Sequence, residues 1–314
     1  MSLKIDAAVY SHIGGRANNE DNFYFNGVYM DREQMNRGGQ AHAVCGDSVQ
    51  VYAVCDGMGG AEFGEEASLR TVTELAAYQK SCRQPDSTVH LNRMIDSVSR
   101  KVDEISVSRG MASGSSGSTI AMFIANDYYY RIAHVGDSRL YRMRAGRLER
   151  LSRDHSEVQQ LLDAGQITEA QAWRHPKGNV ITKHLGMPIE PGAELQPTVS
   201  VRQDLAVGDR FLICSDGLTD VVPDAQIQKL LEACPAPVQA AQTLVREALR
   251  GAEYYGVSSD NVTVMVLDIK SVGGRAQLKR RAKLLRLAQC GSAVLAALSA
   301  GGIGYMCWRL FFNR

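Results

Sequence analysis

Residues 51–60 read VYAVCDGMGG: an apolar run from Val51 to Cys55, a carboxylate at Asp56, then Gly57, Gly59 and Gly60. Such a run, bounded by turn residues, reads as a buried strand. Leaving a core takes a turn, which one glycine with Ser or Asn would supply, so the acid needs a separate cause. The arrangement recurs. RFLICSDGLTD (210–220) carries an apolar strand into Asp216-Gly217, and RIAHVGDSRLY (131–141) sets Asp137 in a tight Gly136-Asp137-Ser138 turn between two strands. GRANNEDNFYF (15–25) places Glu20 and Asp21 just before a strand, and VSSDNVTVMVLDI (257–269) does the same with Asp260.

Apolar alternation or short apolar runs predict strands near 3–10, 22–29, 50–55, 118–125, 128–134, 138–144, 210–214 and 261–269. Helical spacing covers 61–80, 87–108, 156–165 and 238–249. Strands in neighbouring runs and long helices in pairs predict an α+β fold, antiparallel sheets covered by helices rather than alternating βαβ units. The segment 152–195, with scattered Gly and Pro around HPKGNVITKHLGMPIEP and one convincing helix, reads as an excursion from the core.

If the strands lie side by side, their acids gather at one end of the sheets. Two carboxylates about 5 Å apart at an effective dielectric near 20 repel by roughly 3 kcal/mol, and the surrounding sequence offers little counter-charge besides Arg16. Divalent cations would supply it. An all-oxygen donor set with neither His nor Cys at motif spacing favours Mg²⁺ or Mn²⁺ over Zn²⁺. Gly57 would let its own carbonyl face such an ion, where a Cβ would obstruct. Arg16, with a guanidinium that forks onto two oxygens of a tetrahedral anion, suggests a phosphate beside the metals.

RANNED, AVCDGMGG, GSTIAMFI, HVGDSRLY, LICSDGLTD and SSDNVTVMVL, in this order over residues 3–270, resemble the metal-dependent serine/threonine protein phosphatases of the type 2C (PPM) family, in their bacterial form. The resemblance implies a four-layer α-β-β-α sandwich of two antiparallel sheets flanked by helices, with a binuclear Mn²⁺ or Mg²⁺ centre at one end. It implies that Asp56 bridges both ions and the Gly57 carbonyl coordinates one. Glu20 and Asp21 support the site, Asp216 and Asp260 complete the second ion, and Asp137 with Asp216 forms a third, weaker site. Arg16 holds the substrate phosphate, while Thr119 and Gly136 shape the centre without ligating it. The implied chemistry is hydrolysis of phosphoserine and phosphothreonine by a metal-activated water, opposing a serine/threonine kinase on phosphorylated proteins. No cysteine is followed six residues later by Arg, as a cysteine phosphatase loop would require.

Met58 stands where eukaryotic members of that family carry a His after the Asp-Gly pair. The leaving alkoxide then takes its proton from metal-bound water or another residue; His155, in RDHS, is one candidate, and a structural histidine is the alternative. The excursion 152–195 corresponds to the family's variable flap. Within it Trp173, Arg174, His175 and Lys177 are candidates to face a phosphopeptide, with packing against the sandwich the other reading for Trp173. A phosphoprotein-binding pseudophosphatase is the rival function, set against the presence of every metal-binding acid that can be aligned.

Of the chain's 35 basic and 34 acidic residues, eight basic residues and no acid lie after position 270, so residues 1–270 carry 27 basic against 34 acidic residues, a net of −7, and 271–314 carry +8. An acidic catalytic region lacks the basic face that nucleic acid needs. Seven cysteines with no C-x-x-C pair, behind an N-terminus with no signal-peptide pattern, read as reduced thiols. After the catalytic domain (1–270) comes a basic juxtamembrane linker (271–286), and Leu287 to Trp308 is 22 residues without a charge. As a helix that stretch would span about 33 Å against a bilayer core of roughly 30 Å. Tyr305 and Trp308 suit the interface, and the basic cluster ahead of it keeps the catalytic domain on the cytoplasmic side. The expectation is a single-pass transmembrane helix in the cell membrane (plasma or inner), with a surface-lying helix as the alternative.

Overall fold

The computed structural model describes residues 2–59, 63–81, 88–173, 175–190 and 192–273. Met1–Val272 forms one compact unit. In chain order its elements begin with β1 (Lys4–His12), β2 (Asp21–Phe25), α1 (Arg32–Met35), β3 (Gly39–Cys45), β4 (Val49–Met58), α2 (Gly64–Ser81) and α3 (Thr88–Ser108). There follow β5 (Gly117–Ser118), β6 (Ile120–Asn126), β7 (Tyr129–Val135), β8 (Arg139–Arg144), β9 (Arg147–Arg150), α4 (Glu157–Asp163) and α5 (Glu169–Ala172). The last are β10 (Thr198–Val199), β11 (Gln203–Asp204), β12 (Arg210–Cys214), α6 (Asp216–Thr219), α7 (Asp224–Ala233), α8 (Pro237–Tyr255) and β13 (Val262–Ser271).

The strands form two antiparallel sheets. One runs β3-β1-β13-β12-β8-β9; the other runs β10-β7-β6-β4-β2, with β11 beside β7 and β5 beside β4. Because successive side chains on a strand point to opposite faces, each central strand feeds two cores. In β4, Tyr52 and Val54 join the core that also holds Ile5, Phe211 and Leu267 from the other sheet, while Val51, Ala53 and Cys55 pack with Leu75, Leu91 and Ile95 of α2 and α3. In β13, Met265, Leu267 and Ile269 face the first of these cores, and Val262, Val264 and Val266 face Ala241, Leu244 and Ala248 of α8. Three cores between helices, sheet, sheet and helices give the four layers. Phe123 of β6 meets Phe211 of β12 across the sheets, with ring centroids 4.7 Å apart.

Several boundaries differ from the sequence expectation. The predicted 22–29 strand ends at Phe25, because Asn26 (φ 45°) and Gly27 (φ 107°) reverse the chain. β3 and α7 were not anticipated. The helix predicted over 238–249 starts on Pro237 and continues to Tyr255, where Gly256 closes it at φ 66°, the left-handed position that favours glycine. Among the described residues no helix is long and apolar enough to cross a membrane; the basic linker (271–286) beyond Gly273 and the expected span at 287–308 lie outside them.

Candidate metal centre

The motif acids come from five points in the fold that meet at one end of the sheets. β4 and β2 are paired so that Asp56 stands opposite Asp21, and Glu20 immediately precedes β2. Asp137 sits in the turn joining β7 to β8, Asp216 is the first residue of α6, and Asp260 lies just before β13. Glu20, Asp56, Asp137, Asp216 and Asp260 all line one cleft of about 450 Å³, together with Gly57, Thr119, Asn261 and Arg16. Among these described lining residues Arg16 is the only cation, and its Nη2 donates to Asp260 Oδ2 at 2.7 Å. The flap contributes Asn179 and Ile181 to the wall.

Asp21 is placed differently from the rest. It is fully buried behind the cleft, its Oδ2 accepting from Ser215 Oγ at 2.7 Å while its Oδ1 has no hydrogen-bond partner. An unpartnered buried carboxylate oxygen is costly. Burial pushes this carboxyl up to about 7, against the pull of the Ser215 and Thr263 hydroxyls. Burial, then repulsion from Asp21 and Asp216, raises Asp56 well above the carboxylate range. Asp137 is raised by burial and by Asp216, Asp216 by burial and by Asp260, with Asp56 within hydrogen-bond reach. Glu20 is raised by burial, with Arg16 opposing. Each of these groups is held uncomfortably as an anion, and the excess of negative charge is what a bound cation relieves.

The donor set fits that cation. It is all oxygen, one buried oxygen is unpartnered, and the backbone is drawn in close at Gly57. Among the described residues no three His, Cys, Asp or Glu side chains are drawn together as the shell of one ion; the carboxylates share the cleft without closing on a single point. The glycine after Asp56 has a reason that the sequence reading missed. β4 does not turn at Asp56 but runs on to Met58. A Cβ on Gly57 would lie 1.9 Å from the carbonyl oxygen of Gly64, at the start of α2, and 2.7 Å from that of Glu20. Gly57 N–H also donates to Glu20 O at 3.1 Å. The residue is glycine because two other segments press against it.

Three supporting residues escaped or only grazed the sequence reading. Asn261 accepts the Glu20 N–H at 2.7 Å and donates to Ile13 O and Asn18 O at 2.8 and 3.0 Å, fixing the loop that carries Arg16. Ser215 anchors Asp21. Thr119 Oγ1 accepts the Asp56 N–H at 3.0 Å and bonds Ser138 Oγ at 2.7 Å, which fits a residue that shapes the centre without ligating it. Asn261 and Ser215 each stand beside a motif acid, but their bonds span the chain and leave no local pattern.

The described flap residues expected to face substrate, Trp173, His175 and Lys177, do not line the cleft. Trp173 takes the packing alternative: its Nε1 donates to Thr219 O at 3.1 Å and its ring meets Tyr255 edge-on at 5.9 Å. Lys177 pairs with Glu157 at 2.7 Å, and His175 Nδ1 accepts the Lys177 N–H; Arg174 lies outside the described residues. His155 is not among the residues that line the cleft; its Nδ1 accepts the Gly136 N–H at 3.1 Å and its Nε2 lies 2.9 Å from Thr198 Oγ1, contacts that fit the structural alternative.

Comparison with known proteins points the same way. The Protein phosphatase 2C family model matches residues 25–161. The serine/threonine protein phosphatase PstP of Mycobacterium tuberculosis is 32% identical over 258 residues, 81% of this chain and 43% of PstP, so the match spans less than half of that relative's length. The serine/threonine phosphatase stp of Listeria monocytogenes is 30% identical over 226 residues, 71% of this chain and 85% of that protein. The crystal structure of the PstP catalytic domain in complex with two manganese ions superposes with a TM-score of 0.68 at 30% identity, covering 86% of this chain and all of that one. With a two-sheet sandwich, an acid-lined cleft at its end and relatives that match over most of the chain, this protein belongs to the protein phosphatase 2C family.

Proposed function

We propose that the chain is a metal-dependent protein serine/threonine phosphatase that hydrolyses phosphoserine and phosphothreonine in proteins. The observation that carries this reading is the convergence of five carboxylates with a single guanidinium in one cleft. Asp56 and the Gly57 carbonyl, with Glu20, Asp21, Asp216 and Asp260, would hold two Mn²⁺ or Mg²⁺ ions, and Asp137 with Asp216 a third, weaker one. When bound, the ions supply the positive charge that activates a water for in-line attack on phosphorus and offsets charge on the phosphoryl oxygens.

The chain's own residues do the rest. Arg16, at the rim and 55% exposed, forks onto the phosphate oxygens and holds the ester in line. Asn261 fixes the Arg16 loop, and Thr119 fixes the Asp56 backbone. Asn179 and Ile181 bound the cleft on the flap side. The partners proposed are phosphorylated proteins and the serine/threonine kinase that modifies them. Residues 1–270 are the catalytic domain with the flap at 152–195, and 271–308 a basic linker and single-pass anchor that keeps the domain on the cytoplasmic face of the cell membrane. The tail's +8 charge and 22-residue uncharged stretch support that part; a full-length chain found wholly in the soluble fraction of lysed cells would remove it.

The test is release of phosphate from a phosphothreonine peptide and from p-nitrophenyl phosphate by the full chain with Mn²⁺ and with EDTA. Metal-dependent release abolished by EDTA is expected. A folded chain that binds the phosphopeptide without turning it over would overturn the catalytic reading.

A further inference from the structure

His155 opens the flap and touches the turn that carries Asp137 from two sides. Its backbone N–H donates to Gly136 O at 2.9 Å, and its ring Nδ1 accepts the Gly136 N–H at 3.1 Å. Both polar groups of Gly136 are therefore taken by one residue 19 positions away. The ring is itself fixed. It stacks on His134 with centroids 4.9 Å apart and planes at 12°, and its Nε2 lies 2.9 Å from Thr198 Oγ1. An amide N–H only donates, so Nδ1 is the acceptor and the proton sits on Nε2, directed at Thr198. Burial and the neighbouring His134 hold the imidazole down at about 4, so the neutral ring this geometry needs is present at pH 7.

Gly136 has little freedom of its own. It sits at φ 101°, and a Cβ there would lie 2.6 Å from Thr119 Cγ2. Beyond Asp137, Ser138 Oγ is bonded to Thr119 Oγ1, which accepts the Asp56 N–H. Asp137 thus hangs between two anchored neighbours, Ser138 tied through Thr119 to Asp56, and Gly136 tied to His155. The His155 carbonyl in turn accepts the Thr182 N–H at 2.7 Å, next to Ile181 in the cleft wall.

We propose that His155 is a positioning residue that sets the Asp137 carboxylate against Asp216 and couples that turn to the flap. The inference rests on the reading of the cleft as a metal-dependent phosphatase site. Groups that orient metal ligands from behind typically contribute 10–100-fold in affinity, and His155 acts one residue further out, through the Gly136 peptide.

The test compares His155→Ala, His155→Gln and His155→Asn in the full chain. Asn returns an acceptor close to the place of Nδ1, while Gln reaches toward Thr198 and leaves the Gly136 N–H without one. Two readouts independent of turnover are Mn²⁺ binding by calorimetry and amide exchange of the 136–138 turn by mass spectrometry. The weakest Mn²⁺ site is expected to lose about 10-fold or more in Ala and Gln, with faster exchange at the turn, and Asn to recover both to within about threefold of wild type. The kcat for p-nitrophenyl phosphate falls with the lost site, while KM moves less. Should the Ala variant fail to fold, the Gln and Asn pair decides, with Thr198→Val, which frees only the far side of the ring, expected to fall between them. Ala or Gln variants that bind Mn²⁺ as wild type does, or an Asn variant as weak as Gln, would overturn the inference alone. A wild-type chain that binds no Mn²⁺ would overturn the cleft reading and this inference with it.

Discussion

Gly57 shows how far a single residue can be read from sequence. Its place after Asp56 marks a site, but the reason no side chain fits there, the Gly64 carbonyl 1.9 Å from where a Cβ would be, depends on a helix seven residues on and on Glu20 just before β2. Gly57→Ala should force these segments apart at a cost of about 1–3 kcal/mol, lowering the melting temperature by several degrees and Mn²⁺-stimulated hydrolysis with it. Unchanged melting and turnover would show that the close approach is not needed. Asp21 gives a pH prediction. Its carboxyl ordinarily titrates near 3.8 and is pushed up to about 7 in the fold, so between those values the folded chain binds more protons than the unfolded one. A raised acid contributes stability that is fully present below about 3.8 and is lost as pH rises through about 7. In EDTA the melting temperature should therefore fall from pH 5 to pH 7.5, and Mn²⁺ should restore more of it at pH 7.5 than at pH 5. Equal melting at the two pH values in EDTA would contradict the burial of these acids as anions. The acids themselves were legible because each stands beside a glycine or polar turn at the end of an apolar run. Asn261 and Ser215 were not, because their partners lie 241 and 194 residues away.

At the scale of elements, the central strands were legible because both faces are buried and their apolar runs are unbroken. β3 (GQAHAVC) was missed since it alternates half-buried with exposed residues and lies at a sheet edge, where Gly, Gln and His dilute the signal. α7 is only ten residues and starts straight after Pro223, too short a stretch for its helical spacing to stand out. The flap holds the element-level prediction. Trp173 bonds Thr219, the last residue of the α6 turn that begins with Asp216, so the flap is fastened to the segment that bears an acid of the cleft. Trp173→Ala removes a half-buried indole, for about 1–2 kcal/mol, below the ~3–5 of a fully buried one. It should lower turnover of a phosphopeptide and of p-nitrophenyl phosphate in the same proportion. A loss confined to the peptide would place Trp173 at the substrate after all.

For the whole molecule, fold and chemistry are one fact. Two sheets laid face to face carry their strand ends to a common edge, and the chain spends that edge on carboxylates whose mutual repulsion no side chain but Arg16 offsets among the described cleft residues. The charge split between a net −7 over residues 1–270 and a +8 tail was plain from sequence because it needs no geometry. That the acids share one cleft was an inference from strand order, since side-by-side placement is a property of the sheets and not of any local pattern. If the cleft holds divalent cations through Asp56, calorimetric titration of the folded chain with Mn²⁺ will separate wild type from Asp56→Asn. Two or more Mn²⁺ ions should bind wild type, and the substitution should abolish at least one of them while leaving the chain folded. Wild type that takes up no Mn²⁺, or an Asn variant with the same isotherm, would show that Asp56 holds no cation in this cleft.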